Sequence, residues 1–190
     1  CALPISQMPL AKSSQELGEY LFENDVSPLV NNIICLDRDD DLRRFIATTL
    51  PIREGVTGSV PLSGWKPGRF KMTKAEDLLV EHNPAQGFAL TANNDTMGQG
   101  FFPIHTFPAH HARSSRIREL LTSHSGKFSP SNFEEMQLDL LDIRARETVP
   151  HIIACLTDQS SEIQLARELL SAWDFRADTS SKAASIYYPF

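Results

Sequence analysis

NPAQGFALTANN, residues Asn83 to Asn94, is the stretch on which the reading of this chain turns. Asn83-Pro84 initiates a turn, because Asn tolerates unusual backbone angles and Pro fixes its own φ. Gly87 marks a backbone position where a Cβ is unwelcome. Phe88-Ala89-Leu90 has the apolar character of a short buried strand. Asn93 and Asn94 then emerge where that strand stops. A primary amide in such a place donates a hydrogen bond to a developing oxyanion without depending on any protonation state. The plainer possibility is that both asparagines are turn residues.

Upstream of this stretch, Ser13 to Glu16 has the S-x-x-E form of a capping box, and Leu17, Tyr20 and Leu21 follow on one helical face. The pattern predicts a helix of about three turns. Val30 to Leu36 and Leu42 to Thr48 are apolar runs flanking Asp37 to Asp41, which reads as a hairpin. Asp37, Asp39 and Asp41 match the first ligand spacing of a calcium loop. Leu42 at the sixth position and Thr48 at the twelfth depart from it, so a solvated turn is expected. Pro51 to Gly68 is rich in Pro and Gly and reads as a long loop anchored by Trp65. Lys74 to His82 is expected to form a short helix.

Downstream, the chain is irregular to Pro108, with Phe101, Phe102 and Phe107 as anchors. His105, His110 and His111 lie close together here, but the chain has no helical i,i+4 His pair, so they read as ordinary loop histidines rather than zinc ligands. Four helices follow. The first spans about Ala112 to Thr122 with Ile117, Leu120 and Leu121 inward. The second has Ser129 as N-cap and Pro130 at the first position, with Phe133, Met136 and Leu140 at helical spacing. The third runs from Ile143 to Leu156 with a break near Pro150. The fourth, Ser161 to Trp173, aligns Leu165, Leu169 and Trp173. A last helix begins at Thr179 or Ser180.

The 190 residues are 41% hydrophobic, enough for a sizeable core, and 24 acidic against 18 basic residues leave a net charge of −6. That balance excludes nucleic acid as the main partner. No run approaches the roughly 20 apolar residues of a membrane span. Cys1, Cys35 and Cys155 are odd in number and widely spaced, which indicates neither a disulfide framework nor a C-x-x-C site. A cysteine at position 1 raises the chemistry in which a free α-amine serves as base for its own side chain. Nothing beside Cys1 supplies oxyanion donors, so no catalytic role is expected of it.

Taken in order, these features resemble the β chain of the penicillin acylase family, which includes penicillin amidases, cephalosporin acylases and acyl-homoserine lactone acylases. Asn32 followed by Asp37, Pro51-x-Arg53, the Pro61 to Trp65 loop, N-P-x-x-G-x-x-x-x-x-N-N from Asn83 to Asn94, Arg113-x-x-Arg116-Ile117, Gln137-x-Asp139 and Trp173-Asp174 carry the resemblance. It implies an α+β fold, part of the αββα sandwich of N-terminal-nucleophile hydrolases, with a β-containing first half and a helical second half. It implies amide hydrolysis on linear amides, releasing an acyl group from a small amine through an acyl-enzyme. Asn93 matches the asparagine that helps form the oxyanion hole, and Arg113 the arginine that orients the surroundings of the nucleophile. Without the resemblance, Arg113 reads as a helix-start residue in a surface ion pair. For Gln137 and Asp139 a structural hydrogen-bonding role is expected.

The family's nucleophile is a Ser or Cys followed by Asn, and Cys1-Ala2 departs from that. Residues 1–7 are expected to be irregular and outside the family pattern, and residues 8–190 to be an incomplete segment of the β chain, inactive alone. Its partners are then a small acylated amine substrate, an α chain and the remainder of the β chain. No cofactor is expected in this chain, while the resemblance admits calcium in the parent protein. Export to the periplasm or medium is implied by resemblance only. The rivals are a non-catalytic, helix-rich interaction module on the same scaffold and a metal hydrolase using the loop histidines.

Overall fold

The computed structural model describes residues 8–24, 32–46, 50–52, 61, 63–64, 71–74, 77, 79–94 and 111–189. Cys1, Arg53, Trp65, Phe101, Phe102, His105, Phe107 and His110 lie outside them. The chain divides into two compact units, Cys1–Ala109 and His110–Phe190.

In the first unit, a single 3-10 turn at Met8–Leu10 leads into helix α1, Ser14–Asn24. Ser13 caps it through Oγ, which accepts the Glu16 amide at 3.1 Å, while the Glu16 carboxylate accepts the Lys12 amide at 2.8 Å. Strands β1, Asn32–Leu36, and β2, Leu42–Ile46, form the expected antiparallel hairpin, with Ile34 opposite Arg44. Strands β3, Pro51–Ile52, and β4, Lys71–Met72, pair as a separate two-stranded ribbon. That ribbon is clamped beside its pairing, where the Leu50 amide donates to Thr73 Oγ1 and the Thr73 amide to the Leu50 carbonyl, both at 2.8 Å.

Strand β5, Leu79–His82, joins β2 on the side away from β1, giving the order β1-β2-β5. This corrects the helix expected over Lys74 to His82. A short apolar run fits either period, and pairing with a strand far off in sequence decides between them. Lys74 and Asp77 are joined by reciprocal bonds of 2.8 and 3.1 Å.

The core of this unit is α1 against the sheet: Leu17, Leu21 and Phe45 are buried, with Ile33, Cys35 and Leu79 packed around them. Burying each large side chain contributes roughly 1.5–3 kcal/mol. Alternation along β1 turns Ile34 and Leu36 to the other face, where they are exposed. Within β2, Arg44 is 1% exposed and is held by Glu81 at 2.7 Å and Asn32 at 2.9 Å. A charge so deep requires partners of this kind.

The second unit is helical: α2, Ala112–Ser123; α3, Pro130–Gln137; α4, Ile143–Cys155; α5, Ser161–Ser171; and α6, Lys182–Tyr187. Ser129 caps α3 as expected, with Asn132 completing the capping box in place of Glu or Gln. Asp142 caps α4 by accepting the Ala145 amide at 3.0 Å. The core joins Ala145 and Val149 of α4, Leu170 and Trp173, and Ala183 and Ala184 of α6. Trp173 donates its indole N–H to the Arg176 carbonyl at 3.0 Å, so the ring is buried without stranding its polar edge.

Three expectations fail here. Helix α4 runs through Pro150 without a break. Proline removes one hydrogen bond and crowds one carbonyl, but Val149 and Ala145 fix the buried side while Pro150 sits on the exposed side. Ile117, expected inward, is exposed; so are Phe133 and Leu165 on their helices and Leu140 beyond the end of α3. The last helix starts later than expected, with Ser181 as its cap.

Candidate active-site residues and family

The turn at the head of residues 83–94 forms as the sequence predicts. Asn83 adopts φ 42° and Gly87 φ 78°, both left-handed, and the Gly87 amide donates to the Pro84 carbonyl at 2.8 Å. Phe88–Leu90 is not a regular strand, contrary to expectation. The regular strand is β5, just before the turn. The segment is fixed by other means: Gln86 donates its amide to the Phe88 carbonyl at 2.8 Å, and Leu90 and Ala92 are buried.

Asn93 then stands at the surface with φ 60°, a conformation Asn tolerates better than other side chains. Asn94 turns its side chain back, accepting the Ala92 amide at 3.0 Å. Asn94 thus braces the backbone on either side of Asn93.

Asn83 is held on β2 from three directions. Its amide donates to the Leu42 carbonyl at 2.8 Å, its Oδ1 accepts the Leu42 amide at 2.8 Å, and its Nδ2 donates to Asp41 Oδ1 at 3.1 Å. The acidic hairpin tip is therefore not a simply solvated turn. Asp37 accepts the amides of Ser14, Asp39 and Asp41 at 2.9, 3.0 and 3.1 Å. Those backbone donors, led by Ser14, hold its carboxyl below the usual carboxylate range. The Ser14 hydroxyl at 2.7 Å, followed by Arg43 and His82, brings Asp41 down to about 2. Sequence reading missed this junction, because no local spacing links Asp41 to a residue 42 positions later.

In the second unit, Arg113 lies on the first turn of α2 with its side chain exposed. It lines an open groove of about 500 Å³ together with Ile117, Leu120, Met136 and Leu140. Arg116, one turn on, forms the wall of that groove through a two-pronged pair with Asp139, Nε to Oδ2 at 2.7 Å and an NH2 to Oδ1 at 3.1 Å. Arg116 also meets Glu119 at 2.9 Å, Glu119 is bonded by Arg146, and Arg176 approaches Asp139 at 3.5 Å. The guanidinium of Arg116 holds Asp139 below the usual carboxylate range. Asp139 thus has the hydrogen-bonding role expected of it, while Gln137 is exposed at the end of α3.

Asn93 belongs to the first unit and Arg113 to the second. Among the described residues no group of three or more His, Cys, Asp and Glu side chains is placed to hold a metal ion.

The family model for penicillin amidase matches residues 4–190. The chain belongs to the penicillin amidase family. The matched span contains every motif named above and opens at Pro4, within the residues 1–7 that were expected to lie outside the family pattern. Among solved structures the chain is similar to a thermostable penicillin G acylase from Alcaligenes faecalis, at 16% identity and a TM-score of 0.69. The match covers 92% of this chain and 32% of that one, so the chain spans about a third of the length of that relative. At this identity the likeness is one of fold. A penicillin amidase family member with a β-containing first half and a helical second half is therefore an α+β protein of the acylase type. No helix among the described residues is long and apolar enough to cross a membrane.

Proposed function

We propose that this chain is an internal part of an amide hydrolase that removes an acyl group from a small amine through an N-terminal nucleophile. The nucleophile adds to the amide carbonyl, the amine leaves with a proton, and water releases the acid from the acyl-enzyme. Asn93 donates its side-chain amide to the tetrahedral oxyanion. Arg113, permanently charged, keeps the nearby α-amine neutral and fixes the local geometry. The nucleophile itself lies on sequence outside these 190 residues, so this polypeptide alone is inactive. The parent protein is exported and works with an α chain and the rest of its β chain.

The observation that carries this reading is the presentation of Asn93. Its backbone takes a left-handed conformation next to buried Ala92, and the residue is exposed within a span that matches the acylase family throughout. Oxyanion stabilisation asks for such a preorganised neutral donor.

The test is an acylase assay on this polypeptide beside one extended upstream to a Ser-Asn or Cys-Asn start. Turnover is expected from the extended protein alone, and Asn93→Gly in it lowers kcat by about 10²–10³. Glycine is the substitution of choice because it accepts the left-handed backbone that alanine does not. Turnover by the short chain that disappears on Cys1→Ala overturns the assignment.

A second reading, a non-catalytic docking module, draws on Leu138, Phe133 and Leu140, which are 75%, 46% and 41% exposed. It predicts no turnover even from the extended protein and no Ser-Asn or Cys-Asn cleavage point upstream.

A further inference from the structure

The Asp41 carboxylate gathers side chains from separate stretches of the first unit. Oδ2 accepts the Ser14 hydroxyl at 2.7 Å and Arg43 Nε at 2.8 Å. Oδ1 accepts Asn83 Nδ2 at 3.1 Å and lies 2.7 Å from His82 Nε2. A carboxylate facing that ring nitrogen requires the proton to be on it. Two oxygens thus serve four groups, and two of these groups, His82 and Asn83, are the end of β5 and the start of the segment that leads to Asn93.

Asn83 is the hinge point of that segment. Its side-chain amide must be oriented with Oδ1 toward the Leu42 amide and Nδ2 away from it, and the Asp41 carboxylate accepts only from the Nδ2 end. The charge on Asp41 therefore selects the one orientation in which Asn83 is bonded at both ends of its amide. From Asn83 the chain is braced at successive steps: Pro84 to Gly87, Gln86 to Phe88, Leu90 and Ala92 in the core, and Asn94 to Ala92. Such bracing passes a shift at Asn83 along the segment instead of absorbing it.

We propose that Asp41 is a positioning residue for Asn93, acting through Asn83. The inference rests on the reading of Asn93 as an oxyanion donor, for which a displacement of an ångström matters at the level of about 10² in rate. Asp41 touches no reacting atom in this scheme. Its part is to hold the donor segment to β2.

The experiment uses the 190-residue chain labelled with 15N, recording the side-chain amide signals of Asn93 and hydrogen exchange of backbone amides over residues 85–94. Asp41→Asn and Asn83→Gly, the latter keeping the left-handed backbone at φ 42°, are expected to move the Asn93 side-chain signals and to speed exchange across the segment by about tenfold, the loss of roughly one hydrogen bond. Ser14→Ala, which removes a different donor to the same carboxylate, is expected to leave both readouts unchanged. Wild-type Asn93 signals and exchange in folded Asp41→Asn overturn the proposal. So does an equal response to Ser14→Ala, which marks a general loosening instead. Should Asp41→Asn fail to fold, Asn83→Gly decides alone by the same criteria. Neither readout needs turnover, so Asn93→Gly without loss of kcat sinks the oxyanion reading and leaves this result standing. In the extended protein, Asp41→Asn is expected to lower kcat at unchanged KM, the signature of an interaction made only in the transition state.

Discussion

A Cβ placed on Gly18 would stand 2.6 Å from Cε1 and 2.7 Å from Cζ of Phe45. Helix α1 crosses the sheet at this point, and only the missing side chain lets the backbone and the buried ring come so near. Gly18→Ala gains roughly 0.8–1.0 kcal/mol in helix propensity. It sets against this an overpacking cost of about 1–3 kcal/mol, since Phe45 is closed in by Leu17, Leu21 and Phe22 and has nowhere to move. A net loss of about 1 kcal/mol in urea denaturation is expected, and Phe45→Leu should recover part of it in the double variant. Additive effects of the two substitutions would contradict the contact.

Acid should loosen the hairpin junction before anything else in the first unit. Asp41 is at about 2 in the folded chain and near 3.9 when unfolded, and Asp37 is also depressed. A depressed carboxyl contributes stability that is present above the unfolded value and lost as pH falls through the folded one. Thermal melts of the chain should therefore decline between about pH 4 and pH 2. Asp41→Asn should flatten that decline while lowering the melting temperature at pH 7. An unchanged slope in the variant would assign the acid sensitivity elsewhere.

The pair Arg116–Asp139 ties α2 to the connection between α3 and α4, with side chains 22% and 12% exposed. It lies between the surface pairs worth under a kilocalorie and the buried pairs whose breakage costs several, so a double-mutant cycle is expected to return a coupling of about 1–2 kcal/mol. Arg116→Lys should recover less than half of it, because an ammonium does not reproduce the two parallel bonds. A coupling near zero would leave Glu119 and Arg176 as the important neighbours.

Pro150 offers a gain in stability. It occupies the exposed face of an uninterrupted helix, where its ring withholds one donor and crowds a carbonyl. Pro150→Ala is expected to raise the unfolding free energy by about 1–3 kcal/mol, read as a higher denaturant midpoint at unchanged slope. A fall in stability would mean that the ring contributes packing its exposure does not suggest.

Much of this fold was legible in the residues because its signals are local. Ser13 with Glu16 and Ser129 with Pro130 name their helices by chemistry confined to one turn, and the hairpin follows from two apolar runs around an acidic tip. The errors fall where long-range contacts decide. Leu79–His82 became a strand because β2 was there to pair with it. Pro150 was tolerated because the opposite face of α4 is buried. Ile117, Phe133 and Leu165 have core periodicity but remain exposed, a fact that spacing alone does not carry. Of the candidate site, the turn at Asn83 and the exposure of Asn93 were readable. The carboxylate behind Asn83 was not, since nothing in a run of five residues rich in Asp distinguishes Asp41 from Asp39 or Asp40.

The ribbon of β3 and β4, locked by Leu50 and Thr73, has a consequence for how this family can vary. Its two strands bring Ile52 and Lys71 side by side, so the ends of the connection between them are already fixed. Closure entropy grows only with the logarithm of loop length, about 0.6 kcal/mol for each doubling. Insertions and deletions between these two strands should thus be nearly invisible to the thermodynamics of the sheet, leaving that length free to drift among relatives while the ribbon that ties it off stays put.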